Sequence, residues 1–167
     1  IYAAGFSCLL IRLSFFDVQF AAAGLFACWA LLIIGLADLK YMIIPDQFVI
    51  MLAISALGFI PYQSGLMQPL LGALIGGGVM LMVGVLGGAA FKKEVLGFGD
   101  VKLFACLGLA LGLTGTVVVL IGASLLSGIG AAIALASGRA KKDDAKPLGP
   151  YICGMGIFYI FIVWPFL

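Results

Sequence analysis

The sequence predicts an all-α, polytopic membrane protein with about seven transmembrane helices, on the grounds of its composition, the length of its apolar runs and the sidedness of its basic residues. Of 167 residues, 65% are hydrophobic and 10% charged. Mean hydropathy is +1.30. A soluble domain of this size leaves too much surface in water to hide that many apolar side chains. The apolar runs are continuous rather than alternating, which argues for helices. Open sheet edges cannot sit in lipid, and barrel strands alternate.

A helix needs roughly 20 residues, or about 17 at the short end, to cross a bilayer. Polar or Gly/Pro breaks divide the chain into segments at about 1–16, 20–37, 47–62, 68–91, 100–113, 115–137 and 150–167. The fifth is short, and Gly112 to Gly115 must turn the chain between it and the sixth; without that turn the two become one bent helix. Eight of the nine basic residues then fall on one side: Lys40, Lys92, Lys93, Lys102, Arg139, Lys141, Lys142 and Lys146, with Arg12 towards the other. Basic loops stay cytoplasmic, so Asp38 and Asp100 are expected at the cytoplasmic face.

The chain reads as one membrane-embedded domain. It starts at Ile1 with no cleavable signal pattern, so upstream sequence is expected to be missing. The hydrophilic stretch Ser137 to Pro147 has the length of a cytoplasmic loop. Cys8, Cys28, Cys106 and Cys153 are scattered singly, with no CxxC pair, and are expected as buried thiols rather than metal ligands. The absence of histidine excludes Ser-His-Asp, Cys-His and HExxH chemistry. A hydrolase built on this chain must use carboxylates.

Among the acidic residues, Asp143 and Asp144 lie among lysines, Asp17 is near Arg12, and Glu94 adjoins Lys92 and Lys93; these read as solvated loop residues. Asp38, Asp46 and Asp100 remain. Asp46 follows Pro45 at the opening of a helix, where capping of free backbone N–H groups is the expected role. Asp38 closes a helix, whose negative end favours the protonated acid, and Asp100 opens one, whose positive end favours the carboxylate. Carboxylates at the margins of membrane helices are functional-site candidates, and opposed environments suit an acid/base pair sharing one proton. Their separation of 62 residues permits contact without requiring it. Gly97 and Gly99, flanking Phe98, offer positive φ or close backbone approach before Asp100.

Two other function classes fit carboxylates in a membrane: a proton-coupled transporter, for which no convincing inverted repeat is found, and a non-catalytic assembly protein. Glycines at four-residue spacing, Gly72/Gly76, Gly84/Gly88 and Gly108/Gly112, are expected to serve helix packing.

Three ordered segments carry a resemblance: Asp38-Leu39-Lys40-Tyr41-Met42-Ile43-Ile44-Pro45-Asp46, then Gly97-Phe98-Gly99-Asp100-Val101-Lys102-Leu103, then Pro147-Leu148-Gly149-Pro150-Tyr151. Together they resemble the type IV prepilin peptidases, bacterial GxGD membrane aspartyl proteases. The resemblance spans essentially the whole chain. It implies that Asp38 and Asp100 are the catalytic pair, that Gly97, Phe98, Gly99 and Lys102 belong to the active-site loop, and that Pro45, Asp46, Pro147, Gly149 and Pro150 support it. It further implies removal of the basic leader from prepilins or pseudopilins at the cytoplasmic face of the inner membrane. The expected partners are those substrates and membrane lipid, with no nucleic acid.

No metal or cofactor is expected for proteolysis. S-adenosylmethionine enters only with the N-methylation performed by longer members, which carry an upstream insertion with paired cysteines that Ile1 to Asp38 does not show. The presenilin and signal-peptide-peptidase group shares GxGD. It presents a Tyr-Asp pair and a Pro-Ala-Leu motif, whereas Ala37 precedes Asp38 here and no Pro-Ala-Leu occurs.

Overall fold

A computed structural model describes residues 18–91, 96–137 and 147–164. Among them every regular element is helical. Helix α1 spans Val18–Tyr41. Helix α2 spans Asp46–Phe59 and tightens into a 3-10 turn, Ile60–Tyr62, where Pro61 cannot donate to the α ladder. Helix α3 is Met67–Phe91, α4 is Phe98–Ala136, and α5 is Gly149–Phe158, continued by a π turn at Tyr159–Val163. Among the described residues three stretches are long and apolar enough to cross a membrane: Val18–Tyr41, Met67–Ala89 and Phe98–Ala134. The chain is an all-α integral membrane protein. The expected segment 1–16 lies outside the described residues, as do Arg12, Asp17, Lys92, Lys93, Glu94 and the residues from Arg139 to Lys146.

The expected turn between the fifth and sixth segments is present but smaller than its four-residue allowance. A single residue, Gly112, leaves helical geometry at φ 69° and ψ −175°. A Cβ placed on Gly76 would lie 2.7 Å from Phe104 O and 3.0 Å from Thr116 Cγ2. In a straight helix residues twelve apart are about 18 Å from each other, so the two arms of α4 must fold back side by side. Gln63 repairs the break: its Nε2 donates to Ala110 O at 3.0 Å and Leu109 O at 3.4 Å, while Thr116 Oγ1 donates to Gly112 O at 2.6 Å. These bonds occupy carbonyls that a helix end would otherwise orphan.

Small residues set the packing. Gly72 and Gly76 of α3 meet Gly108, Gly112 and Phe104 of α4 at backbone-to-backbone distance, as expected of small residues four apart. Gly58 of α2 faces Ala23 of α1, and Gly35 of α1 faces Cys153 of α5. The core between the helices holds Leu31, Ile34, Leu52, Leu103, Phe104, Leu107, Ile152 and Ile160. Leu74, Leu81, Met82, Val85 and Leu86 of α3 are exposed, which suits a surface solvated by lipid.

Contacts along the helices fix their directions. Phe20 of α1 packs edge-on against Phe59 of α2, with ring centroids 5.3 Å apart, and against Trp164 beyond α5, also at 5.3 Å. The end of α1 therefore lies with the starts of α2, α4 and α5, at the pole opposite this aromatic cluster.

Candidate active site

Four chain segments converge at that pole. Helix α1 ends at Tyr41, and Met42 takes φ 53° while its N–H donates to Asp38 O at 2.9 Å. A left-handed residue is an ordinary helix stop, although glycine more often supplies it. It swings the chain into Ile43–Pro45, from which α2 starts; Pro45 is extended at φ −72° and ψ 122°.

Asp38 sits one turn before the end of α1 and is only 6% exposed. Its Oδ2 accepts the backbone N–H of Gly149 at 2.9 Å. A Cβ on Gly149 would fall 2.5 Å from that same Oδ2 and 3.0 Å from Asp38 Cγ, so only glycine brings its N–H to the carboxylate. Pro147 and Leu148 lead into this position, and Pro150 occupies the first turn of α5, where its missing N–H costs nothing. Asp38 thus closes one helix but also meets the positive end of another. The expected place at the end of a helix is present, and the start of α5 is an added neighbour.

Asp100 lies in the first turn of α4, its N–H donating to Gly97 O at 3.1 Å. Its Oδ1 is buried and has no hydrogen-bond partner among the described residues. The Asp38 and Asp100 carboxylates are near enough for their charges to interact. Cys153, one turn after Gly149, lies within electrostatic range of both. Cys28 and Cys153 are buried and Cys106 is half-buried.

Around the pair, several sequence expectations change. Asp46 does not cap α2: Pro45 holds the N-cap position, with no side-chain cap bond, and Asp46 is the first helical residue. Its carboxylate instead accepts from Lys102 Nζ with both oxygens at 3.0 Å. The same Nζ stands 5.4 Å from the ring centroid of the exposed Phe98. Positive φ is absent at Gly97 and Gly99; among described glycines it occurs at Gly65 and Gly112. The two residues of the motif also differ. A Cβ on Gly99 would meet Ile44 Cβ at 3.1 Å, whereas one on Gly97 would meet only Asp100 Oδ2 at 3.8 Å. Close approach, to Ile44 of this chain, is what Gly99 provides. Sequence reasoning gave no role to Ile44, although it lies within the first quoted segment, and missed the direct bond between Gly149 and Asp38, which nothing near Asp38 discloses.

At this pole Gly149 bonds to Asp38, Asp100 lies within electrostatic range of that carboxylate, and Asp46 pairs with Lys102. Lys102 follows Asp100 by two residues, about 200° around a helix, and so faces away from it.

A model of the type IV leader peptidase family matches residues 25–135. The chain is 31% identical over 150 residues to a prepilin leader peptidase/N-methyltransferase of Xanthomonas campestris pv. campestris, covering 86% of this chain and 51% of that protein. A protein of the same name from Pectobacterium carotovorum subsp. carotovorum is 33% identical over 162 residues, covering 84% and 56%. Another from Pseudomonas aeruginosa is 33% identical over 150 residues, covering 86% and 50%. The chain therefore spans about half the length of the curated relatives it matches. No solved structure gives a significant match. With the three motifs converging at one pole and the family model covering the segments that carry Asp38 and Asp100, the chain belongs to the type IV leader peptidase family.

Proposed function

We propose that the chain is a membrane aspartyl endopeptidase that removes the basic leader from type IV prepilins or pseudopilins, with Asp38 and Asp100 as its catalytic pair. The observation that carries this reading is that two carboxylates from separate helices lie at one helical pole, within electrostatic range of each other. Family membership and relatives named as prepilin leader peptidases support it. One carboxylate takes a proton from water as it attacks the scissile carbonyl, and the other supplies a proton to the departing amine. The bond from Gly149 holds Asp38 in place for this, and the unpartnered Oδ1 of Asp100 leaves an acceptor free for a water.

The proposal extends to orientation. Lys40 and Lys102 lie at the aspartate pole, and the remaining lysines of the sequence favour placing it on the cytoplasmic side of the inner membrane. The substrate's basic leader then approaches from the cytoplasm while its apolar helix docks from the bilayer. The proposed reaction is peptide cleavage, and S-adenosylmethionine belongs only to an accompanying methyl transfer, to which no residue here is assigned.

The test is leader removal from a purified prepilin by Asp38→Asn and Asp100→Asn. Each is expected to lower kcat by about a thousandfold or more, since members of an acid/base pair act as a unit, with helical content in detergent unchanged. Turnover near the parent level in either folded variant removes that residue from the mechanism.

A further inference from the structure

The two aspartates are held unequally. Asp38 has an anchor of its own in the Gly149 N–H, but no hydrogen bond fixes Asp100 Oδ1 among the described residues. The aim of Asp100 therefore depends on the first turn of α4, and that turn is pinned in two places. Gly99 lies against Ile44, and Lys102 Nζ grips both oxygens of Asp46 at 3.0 Å. Both partners come soon after Asp38 in the chain: Ile44 lies in the link between α1 and α2, and Asp46 is the first residue of α2.

We propose that Lys102 and Asp46 are positioning residues, a clamp that sets the first turn of α4 so that Asp100 faces Asp38. The inference rests on the reading of those two aspartates as the catalytic pair. The side chains of Lys102 and Asp46 are 39% and 65% exposed, and exposed ion pairs contribute little to overall stability. Their effect lies in where they hold the turn. Lys102 also points away from the carboxylates it serves, which separates it from any direct part in proton transfer.

Two measurements on the full chain test the clamp. In prepilin cleavage, Asp46→Ala and Lys102→Ala are each expected to lower kcat about tenfold with KM little changed. The charge-swapped double variant, Asp46→Lys with Lys102→Asp, is expected to recover to within about threefold, as the coupling of a contacting pair requires. The second readout needs no activity. With Cys8, Cys28, Cys106 and Cys153 replaced by Ala, a disulfide engineered by Ile44→Cys and Gly99→Cys should form once the turn gives by a few tenths of an ångström, because the two Cβ positions are 3.1 Å apart, just short of the about 3.5–4.5 Å of ordinary disulfides. Adding Lys102→Ala is expected to slow its formation about fivefold or more, a loosening of roughly 1 kcal/mol.

A rise in KM at constant kcat would make Lys102 a substrate contact and overturn the proposal. So would a lower melting temperature with unchanged kcat, or a disulfide rate indifferent to Lys102. A parent chain that cleaves no prepilin, while the disulfide still depends on Lys102, refutes the proteolytic reading alone and leaves the clamp standing.

Discussion

Replacing Gly149 with alanine adds one methyl group and should nearly silence the enzyme. The added carbon would lie 2.5 Å from Asp38 Oδ2, 3.0 Å from Cγ and 3.2 Å from Cβ. Ordinary contacts begin about 1 Å further out, so either the carboxylate or the start of α5 must retreat by that amount. Asp38 is buried and the following turn of α5 carries the buried Ile152 and Cys153, so neither side yields freely. Retreat stretches the 2.9 Å bond from the Gly149 N–H, worth about 1.5–3 kcal/mol when the carboxyl is ionised. A misplacement of about 1 Å at a reacting group costs on the order of a hundredfold in rate. Both routes give a fall in kcat of about two orders of magnitude. The assay is leader removal from a purified prepilin, read by mass spectrometry, with the melting temperature in detergent as a check on folding. Gly154→Ala is the matched control, since a Cβ there meets nothing within 4 Å. A Gly149→Ala enzyme within about threefold of the parent kcat, with Gly154→Ala also normal, would refute the argument that the missing side chain exists to admit Asp38.

The two glycines before Asp100 should separate in the same assay. Gly99→Ala is expected to be mildly impaired and Gly99→Val severely, because the first Cβ already stands 3.1 Å from Ile44, while Gly97→Ala should stay near normal; equal sensitivity at both positions would contradict this. Gly108→Ala forces a carbon into the Gly72 backbone and should destabilise the protein by about 1–3 kcal/mol, seen as a lower melting temperature, whereas Gly128→Ala, in open space, should leave it unchanged. Topology is open to labelling. In a cysteine-free background, an impermeant thiol reagent should reach Lys40→Cys from the cytoplasmic side and Ser64→Cys from the other, and labelling of both from one side would contradict the arrangement of α1 and α2.

The sequence made the helices legible because in lipid every backbone group must be satisfied within its own segment, so composition and run length alone mark a span. Gly112 was legible as a turn for a related reason: few residues other than glycine take φ 69°. The site was legible only by half. Asp38 and Asp100 stand out because carboxylates are rare in such a chain, but their partners are ordinary by local rules. Asp46 after Pro45 looks like a cap, and nothing nearby discloses Lys102, 56 residues away, as its partner. Gly149 reads as a helix opener beside Pro150, while its actual constraint is a side chain 111 residues earlier. Local propensity records what a residue does to its own backbone, and these positions were fixed by what another helix needed.

The bond between Gly149 and Asp38 also sets a clock on synthesis. Ribosomes add about 5–20 residues each second, so the 111 residues separating the partners take on the order of ten seconds to emerge. Through that interval Asp38 has been made without the donor that will hold it. A nascent chain with α1 through α4 in place would carry both carboxylates and still lack the finished arrangement. Arrival of α5 supplies the missing donor in one step, so the proposed site gains its geometry late in the chain's own assembly.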